Sequence, residues 1–300
     1  METNHHHAID LGAPARILSA RKLTETTTLL VVSAPLVSLN AAPGQFVILR
    51  LAENGERVPI SITDFDASAG TITIVVQAVG KTSSVICALQ PGDEILDFAG
   101  PLGEPVSLPG DGHAVVIGGG FGAGAIFPLA REMSKQGMEV SAIVGARTSD
   151  LVILTDLLET ACNEVHVCTD DGSLGYKGLV TGRLEELLEG GAGFTSCFAV
   201  GPMPMMRAVA DAGSKWQVPT WVSLDPLMVD GTGMCGGCRV TVAGVSKFAC
   251  VDGPFFLAEE IDFDEASARK AMYKDDERRA HSLASPGIAE NRAVEPEKAM

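Results

Sequence analysis

The sequence has no run of about 18 apolar residues, which argues against a membrane-spanning helix. It also has no cluster of lysine and arginine, and its formal net charge is −16, so its surface should repel nucleic acid and anionic lipid. The N-terminal residues lack the charged-then-apolar pattern of a secretory signal, so we expect a cytoplasmic protein. The run His5–His7 is interpreted as a solvated terminus rather than as a metal site.

The cysteines of the chain cannot all be paired, since seven is an odd number, and this argues against a disulfide framework. Four are scattered in apolar or mixed contexts and are predicted to be small buried side chains. The other three, Cys235, Cys238 and Cys250, form a group in a glycine-rich stretch. With 300 residues, of which 46% are hydrophobic, the chain is long enough for two cores.

The pattern of apolar residues changes along the chain. Up to residue 108, short β-rich segments alternate with turn residues, which predicts a small antiparallel barrel or sandwich. From His113, apolar segments alternate with helical ones, which predicts a parallel sheet with helices on both faces. The segment 221–253 is too short and too rich in glycine and cysteine to build its own core, so we expect something other than burial to hold it. Beyond residue 262 the chain is charged, and its end is predicted to be an exposed tail.

A glycine run, Gly118–Gly124, follows a predicted strand and precedes a predicted helix. Glycines at such a turn let the backbone approach a pyrophosphate, and the helix N-terminus offers free N–H groups. The spacing differs from the usual GxGxxG, so a tight strand–helix turn without a ligand is the alternative. A second glycine begins the segment Gly201–Met206, after another predicted strand. Two such turns in one domain favour dinucleotide binding.

Two segments of the β-rich part suit a ligand that carries phosphate and a planar ring. In Arg57–Ile62 the arginine can bond a phosphate, and the Ser61 hydroxyl can bond a ring nitrogen. Gly80–Ser83 precedes a predicted helix and is a second candidate phosphate site. Each segment alone is more often an ordinary strand or an ordinary capped helix than a ligand site. Together, before a dinucleotide-type domain, they resemble the ferredoxin reductase superfamily, in which a flavin-binding barrel precedes a nicotinamide-nucleotide domain.

The three grouped cysteines predict a centre for a soft metal. Two residues separate Cys235 from Cys238, and eleven separate Cys238 from Cys250, which suits an iron–sulfur cluster or zinc. A [2Fe–2S] cluster needs four ligands, and plant-type spacing places the first cysteine five residues before Cys235. Asp230 stands there, so we interpret the ligands as three cysteines and one aspartate. A zinc site or a free thiol pair is the alternative.

The complete pattern resembles a narrower family, the small FAD- and [2Fe–2S]-containing subunit of NADH-dependent ferredoxin:NADP oxidoreductase, also described as the sulfide dehydrogenase small subunit. The resemblance spans about Ala15 to Phe263. It is strongest at Arg57–Ser61, Gly118–Gly122, Thr169–Ser173, Gly201–Met206 and Met228–Cys238. The electron-transfer subunit of dihydroorotate dehydrogenase is also similar throughout, but it has cysteine where Asp230 stands. This difference favours the first family.

The resemblance implies a β + α/β fold in three parts and a tail. An N-terminal antiparallel flavin-binding β-barrel (1–108) precedes a doubly wound parallel-sheet domain that binds NAD(H) (109–222). A small cysteine-rich [2Fe–2S] module (223–262) follows. The acidic, charged tail (263–300) would dock a partner or be disordered.

The resemblance also implies which residues form the sites. FAD would be held by Arg57, Pro59, Ile60, Ser61, Gly80, Lys81, Thr82 and Ser83. NAD(H) would face Gly119, Gly120 and Gly122, with Asp171, Gly201, Pro202 and Met203 near the nicotinamide. The cluster ligands would be Asp230, Cys235, Cys238 and Cys250. Asp171 is equally typical of a turn before Gly172. Arg147 fits a ribose or a 2′-phosphate, so the residues leave NAD and NADP open, while the family points to NAD.

The implied function is that of an oxidoreductase subunit in which NADH reduces FAD and single electrons leave through the [2Fe–2S] cluster. The implied partner is a larger NADP(H)-binding flavin and iron–sulfur subunit, in a heterodimer or larger complex. That complex would couple NADH, NADPH and, indirectly, ferredoxin by electron bifurcation. Three alternatives stay open: the electron-transfer subunit of dihydroorotate dehydrogenase, a non-catalytic zinc-stabilised interaction subunit, and a sulfide or polysulfide reductase.

Overall fold

The computed structural model describes residues 15–273, Asp275 and Arg279. The His5–His7 run and most of the chain beyond residue 273 lie outside the described residues, and so do the interpretations that concern them. Within the described residues, no helix has both the length and the hydropathy that crossing a membrane would require.

The first part of the chain is an antiparallel barrel. Its elements are β1 (Ala15–Lys22), β2 (Thr27–Ser33), α1 (Pro35–Ser38), β3 (Phe46–Arg50), β4 (Val58–Asp66), β5 (Thr71–Gln77), α2 (Lys81–Cys87), β6 (Glu94–Ile95) and β7 (Asp97–Leu102). The strands pair in the order β6-β1-β2-β5-β4-β3-β7. Only Leu96 separates β6 from β7 in the chain, so the two edges of the sheet lie close together and the barrel nearly closes. Its interior is filled by β-branched and aliphatic side chains such as Leu30, Ile62 and Ile72.

The second part is a mostly parallel sheet between helices. Its elements are β8 (His113–Gly119), α3 (Gly122–Lys135), β9 (Glu139–Ala146), α4 (Thr155–Leu158), β10 (Glu164–Thr169), β11 (Tyr176–Lys177), α5 (Val180–Glu189), β12 (Ser196–Val200), α6 (Met203–Trp216) and β13 (Thr220–Ser223). Side chains on β8 alternate between two cores: Ala114 and Val116 pack with the α3 side, Val115 and Ile117 with the α5 and α6 side. This alternation is the physical signature of a sheet buried on both faces.

The cysteine-rich segment packs against both other parts. Its elements are β14 (Arg239–Val242), β15 (Val245–Phe248), β16 (Phe255–Leu257) and the following helix α7 (Phe263–Ala271). The second sheet has the order β11-β10-β9-β8-β12-β13-β16, with β16 antiparallel at its edge. Cys238, Val240 and Val242 are buried in the same core as α5 and α6. The expectation that something other than burial holds this segment is therefore wrong, because it shares a core instead of building one.

The barrel and the second sheet meet through α3. A Cβ on Gly124 would lie 2.8 Å from the Thr63 hydroxyl oxygen, so glycine lets the helix contact β4 closely. Further along α3, the Arg131 guanidinium pairs with the Asp64 carboxylate and lies 4.6 Å from the centre of the Phe65 ring. The predicted fold class is confirmed by this barrel, sheet and cysteine-rich segment, whereas the exact domain boundaries stay a prediction.

Candidate functional site

A cavity of about 250 Å³ lies between the barrel and the second sheet. One wall is β4, at Pro59, Ile60 and Ser61, and Ser83 lines the cavity at the start of α2. The other walls come from the turn after β8 and from Ser223–Pro226 and Met228 after β13. The lining is mostly apolar with a few hydroxyl and carboxylate groups, which suits a planar cofactor.

Four of the eight residues predicted to hold FAD line this cavity, namely Pro59, Ile60, Ser61 and Ser83. The other four are next to lining residues in the chain. Arg57 is exposed and directly precedes Val58, which lines the cavity. Gly80, Lys81 and Thr82 lie between the lining residues Val79 and Ser83. The roles assigned to these four residues on a diphosphate stay predictions.

The start of α2 is organised by the Ser83 hydroxyl. Its oxygen accepts the backbone N–H of Val79 at 3.0 Å and that of Gly80 at 2.9 Å. Next to it, the Thr82 hydroxyl donates to the Glu56 carboxylate. These bonds hold the loop between β5 and α2 against the end of the cavity.

The glycines of the turn after β8 have different physical roles. A Cβ on Gly122 would lie 2.2 Å from the carbonyl oxygen of Val200, and a Cβ on Gly118 would lie 2.7 Å from the Cα of Ala123. Both glycines therefore allow α3 to start close to the sheet. Gly120 has a φ of +56° and nothing within 4 Å of its Cβ position, so backbone conformation is what selects glycine there. These distances support the alternative of a structural turn for Gly118 and Gly122, although the turn also borders the cavity.

A second cavity, of about 470 Å³, lies at the carboxyl ends of β8, β9, β10 and β12. This is where open α/β sheets bind their ligands. Of the predicted nucleotide residues, Gly119, Gly120 and Pro202 line it, and so does Arg147. Gly122 lines the first cavity instead.

Gly201 and Met203 line neither cavity. A Cβ on Gly201 would lie 2.7 Å from the terminal methyl of Met205 and 3.1 Å from the Cα of Gly119, so this glycine lets the two turns touch. Met203 is the first residue of α6, and its side chain is buried in the core between α6 and the sheet. Met205, which the sequence analysis did not single out, lines the second cavity in its place.

Asp171 also lies outside both linings. Its carboxylate accepts the Ser173 hydroxyl at 2.6 Å and the Ser173 backbone N–H at 2.9 Å. These two hydrogen bonds lower the pKa of Asp171. The geometry supports the turn interpretation of Asp171, and its neighbour Asp170 lines the second cavity.

Several lining residues were missed because only the fold brings them to the cavities. Phe121 and Gln77 line both cavities and therefore lie between them. Thr181 reaches the second cavity from α5, which no motif marks. One signal was available for Ser223–Pro226, since the β-branched and aromatic residues Thr220–Val222 precede it and ligands bind beyond strand carboxyl ends, but the sequence analysis assigned no strand there.

The predicted cluster ligands lie on and beside one loop. The Sγ atoms of Cys238 and Cys250 are 3.1 Å apart and both residues are buried, whereas Cys235 is exposed. The Asp230 carboxylate accepts the backbone N–H of Thr232 at 2.9 Å and that of Cys235 at 2.6 Å. These bonds lower the pKa of Asp230, while burial raises the pKa of Cys250 to about 12.

The donor set fits a [2Fe–2S] cluster, because it consists of two pairs: Asp230 with Cys235, and Cys238 with Cys250. Such a cluster has two irons, each of which takes two protein ligands. Within the described residues, no three His, Cys, Asp or Glu side chains are grouped so that they could hold a single metal ion. The raised pKa of Cys250 means that cluster assembly would release a proton from this thiol.

Known proteins share these features. The family model for the iron–sulfur cluster binding domain of dihydroorotate dehydrogenase B matches residues 225–262. A dihydroorotate dehydrogenase B (NAD(+)) electron transfer subunit homolog from Thermotoga maritima is 44% identical over 247 residues, which are 82% of this chain and 87% of the relative. The electron transfer subunit from Geobacillus kaustophilus is 36% identical, over 82% of this chain and 96% of the relative. The chain belongs to this family of electron-transfer subunits.

Two solved structures are also similar to this chain. A chain from the NADH-dependent reduced ferredoxin-NADP oxidoreductase structure, described as giving insights into flavin-based electron bifurcation, is 41% identical with a TM-score of 0.86, over 90% of this chain and 98% of that one. The Amycolatopsis cytochrome P450 reductase GcoB is 21% identical with a TM-score of 0.58, over 68% of this chain and 66% of that one, and shows only that the fold is shared.

As a member of this family, the chain is an electron-transfer subunit of a flavin and iron–sulfur oxidoreductase, and its cofactors are FAD, NAD(H) and a [2Fe–2S] cluster. The predicted family resemblance and cofactors are confirmed. The match at 225–262 favours iron–sulfur over the zinc alternative for the cysteine group.

Proposed function

We propose that this chain is the NADH-oxidising subunit of an electron-bifurcating NADH-dependent ferredoxin:NADP oxidoreductase. Its partner in this proposal is a larger NADP(H)-binding flavin and iron–sulfur subunit, and ferredoxin interacts with that complex rather than with this chain directly. The 41% identity and TM-score of 0.86 to a chain of such an enzyme support the proposal over nearly the whole of that chain.

The observation that carries the shared part of the proposal, electron flow from NADH through a flavin to a cluster, is the order of the three candidate sites. The second cavity adjoins the first at Phe121 and Gln77, which line both. The far wall of the first cavity, from Ser223 to Met228, continues along the chain into Asp230 and the cysteine loop. A nucleotide, a flavin and a cluster in these places would stand in the order that electron flow from NADH requires.

A flavin held in the first cavity would supply the conversion of a two-electron hydride donor into single electrons, and a cluster held by Asp230 and the three cysteines would take them onward. The protein's own contribution is to place these groups. Pro59, Ile60 and Ser61 of β4 line the first cavity, and Gly119 and Gly120 line the second. The apolar lining of the first cavity excludes water from the reacting faces.

Within this proposal, we assign NADH rather than NADPH to the second cavity. Asp170 lines the cavity together with Arg147, so a carboxylate beside the cavity would oppose the additional negative charge of a 2′-phosphate. The chain as a whole is also strongly acidic, with a net charge of −16. A preference of NADPH over NADH in flavin reduction would contradict this assignment.

The alternative is the electron-transfer subunit of a dihydroorotate dehydrogenase B, and the names of the curated relatives favour it. The presence of Asp230, in the position where that resemblance places cysteine, favours the ferredoxin:NADP enzyme. In both functions electrons pass between the nicotinamide, FAD and the cluster of this subunit. The two functions therefore differ only in what the larger partner oxidises or reduces.

The test begins with the complex purified anaerobically through a tag on this chain. Stopped-flow mixing with NADH should bleach the flavin absorbance and then develop the reduced cluster signal, because the sites are in series. A flavin that NADH does not reduce would end the proposal. The two functions are separated by the steady-state assay: reduction of NADP by NADH plus reduced ferredoxin supports the proposal, whereas oxidation of dihydroorotate with NAD supports the alternative.

A further inference from the structure

The helix α7 lies in the segment that was assigned to the charged tail, yet it is tied to the cysteine-rich segment. The Asp262 carboxylate accepts the backbone N–H of Glu265 at 2.9 Å and so caps the helix. The backbone N–H of Asp262 donates to the carbonyl of Thr241 on β14 at 3.0 Å. Ala266 on α7 is buried in the core that contains Cys238 and Cys250. The helix is therefore a structural part of the region that holds the candidate cluster.

Arg269 on α7 reaches the loop between two predicted cluster ligands. Its Nη2 lies 3.5 Å from the carbonyl oxygen of Gly236 and 3.4 Å from that of Gly237, the two residues between Cys235 and Cys238. Its Nε is buried and has no hydrogen-bond partner in the described part of the chain. Within the described residues, this partly buried guanidinium has two contacts to oxygen, both of them long, so its charge is incompletely compensated there, and an anionic group nearby would complete its environment.

We propose that Arg269 is a positioning residue for the cluster loop and that its positive charge raises the reduction potential of the cluster. This inference rests on the proposed assignment of the cluster to Asp230, Cys235, Cys238 and Cys250. The two carbonyl contacts hold the backbone between Cys235 and Cys238, which fixes the spacing of those thiols. Reduction would add one negative charge to the cluster, and a neighbouring cation that is partly shielded from solvent, as Arg269 is, would stabilise the reduced form.

The next residue links the same helix to the flavin cavity. Lys270 Nζ lies 2.6 Å from an Asp225 carboxylate oxygen, and Asp225 lines the first cavity. Adjacent cations on α7 therefore contact the cluster loop on one side and a wall of the flavin cavity on the other. This helix fixes the loop relative to the cavity, which is the relation that electron transfer between the two cofactors depends on.

Arg207 provides a matched control. Arg207 on α6 pairs with Asp264 of α7 at 2.6 Å and so also anchors α7. This contact lies at the beginning of the helix, and both side chains are mostly exposed. Arg207→Gln and Arg269→Gln each remove one positive charge; the first removes the Asp264 pair at the start of α7, and the second removes the two carbonyl contacts near its end. Only Arg269→Gln removes a contact to the cluster loop.

The experiment is an EPR-monitored redox titration of the complete complex carrying each variant, with iron and acid-labile sulfide measured first. We expect Arg269→Gln to shift the midpoint potential of the [2Fe–2S] cluster to a more negative value. Arg269→Lys keeps the charge and should retain most of the wild-type potential, and Arg207→Gln should match wild type. The rate of flavin bleaching by NADH should stay within about twofold of wild type in all three, because that step precedes the cluster.

An unchanged potential in Arg269→Gln with the cluster present would overturn the inference and leave the proposed function standing. An equal shift in Arg207→Gln would also overturn it, because the effect would then be one of net charge. If Arg269→Gln does not fold, the half-life of the cluster in air is measured in Arg269→Lys instead. The single ammonium of lysine cannot replace the planar guanidinium, so this variant still tests the positioning role. A shortened half-life supports the positioning role and a wild-type half-life refutes it. A wild-type complex without iron and sulfide would refute the proposed function itself.

Discussion

Gly122 is the position where adding a single methyl group should perturb both cavities at once. In Gly122→Ala the new Cβ would lie 2.2 Å from the carbonyl oxygen and 2.7 Å from the carbonyl carbon of Val200. These are backbone atoms of β12 and cannot rotate away, so α3 must move outward by about 1 Å to reach an ordinary contact distance. Such overpacking costs about 1–3 kcal/mol of folding free energy.

The same movement should impair the redox reaction. Gly122 lines the first cavity, and its neighbour Phe121 lines both, so a shift of the α3 start changes the distance between nicotinamide and flavin. A misplacement of about 1 Å can cost a reaction about 100-fold in rate. We therefore expect the rate of flavin reduction by NADH to fall by about one to two orders of magnitude.

Stability can be measured on the affected part of the molecule. The chain has two tryptophans, Trp216 on α6 and Trp221 on β13, and both belong to the second sheet region. Urea unfolding followed by tryptophan fluorescence therefore reports on the part that Gly122 perturbs. Gly110→Ala is the matched control, because Gly110 has nothing within 4 Å of its Cβ position and no positive φ. Equal midpoints and equal flavin reduction rates for the two variants would refute the packing argument.

Three further outcomes are expected. Arg131→Met removes the ion pair to Asp64 that joins α3 to β4. We expect this change to destabilise the protein by about 1–3 kcal/mol and to increase FAD loss on gel filtration. FAD retention equal to wild type would contradict this role. Asp230→Cys should keep a [2Fe–2S] cluster with altered EPR spectrum and potential, whereas an unchanged spectrum and potential in Asp230→Ala would exclude this residue as a ligand. After removal of the cluster by oxidation and chelation, iodoacetamide should modify the exposed Cys235 well before Cys162. The reason is that burial raises the pKa of Cys162 to about 12. Peptide mapping that finds Cys162 modified first would be inconsistent with this burial.

The candidate cluster shows which parts of a metal site short sequence patterns can predict. The spacing of Cys235, Cys238 and Cys250, with Asp230 at the first ligand position, predicted a soft-metal centre without any knowledge of the fold. The pairing of Asp230 with the Cys235 backbone and the approach of Cys250 to Cys238 needed coordinates, because Cys250 reaches the loop only after the β14–β15 hairpin. Arg269 could not have been assigned from its charged surroundings, which are typical of a solvated tail.

The glycine turns show the same limit in another form. Their positions after apolar strands predicted a nucleotide site, but whether a glycine serves the ligand or the packing depends on what lies opposite its missing Cβ. For Gly122 that neighbour is Val200, which is distant in the chain. The sequence analysis therefore located the turn correctly but did not separate the glycines that permit close packing from those that line the second cavity.

From the amino-acid order alone came the succession of barrel, parallel sheet and cysteine group, because these depend on hydrophobic periodicity and on short spacings along the chain. Tertiary structure alone decided which residues from separate segments share a cavity wall, such as Ser61 of β4, Phe121 after β8 and Asp225 after β13. The physical reason is that periodicity is a local property, whereas a cavity is formed by the packing of elements that lie far apart in the chain.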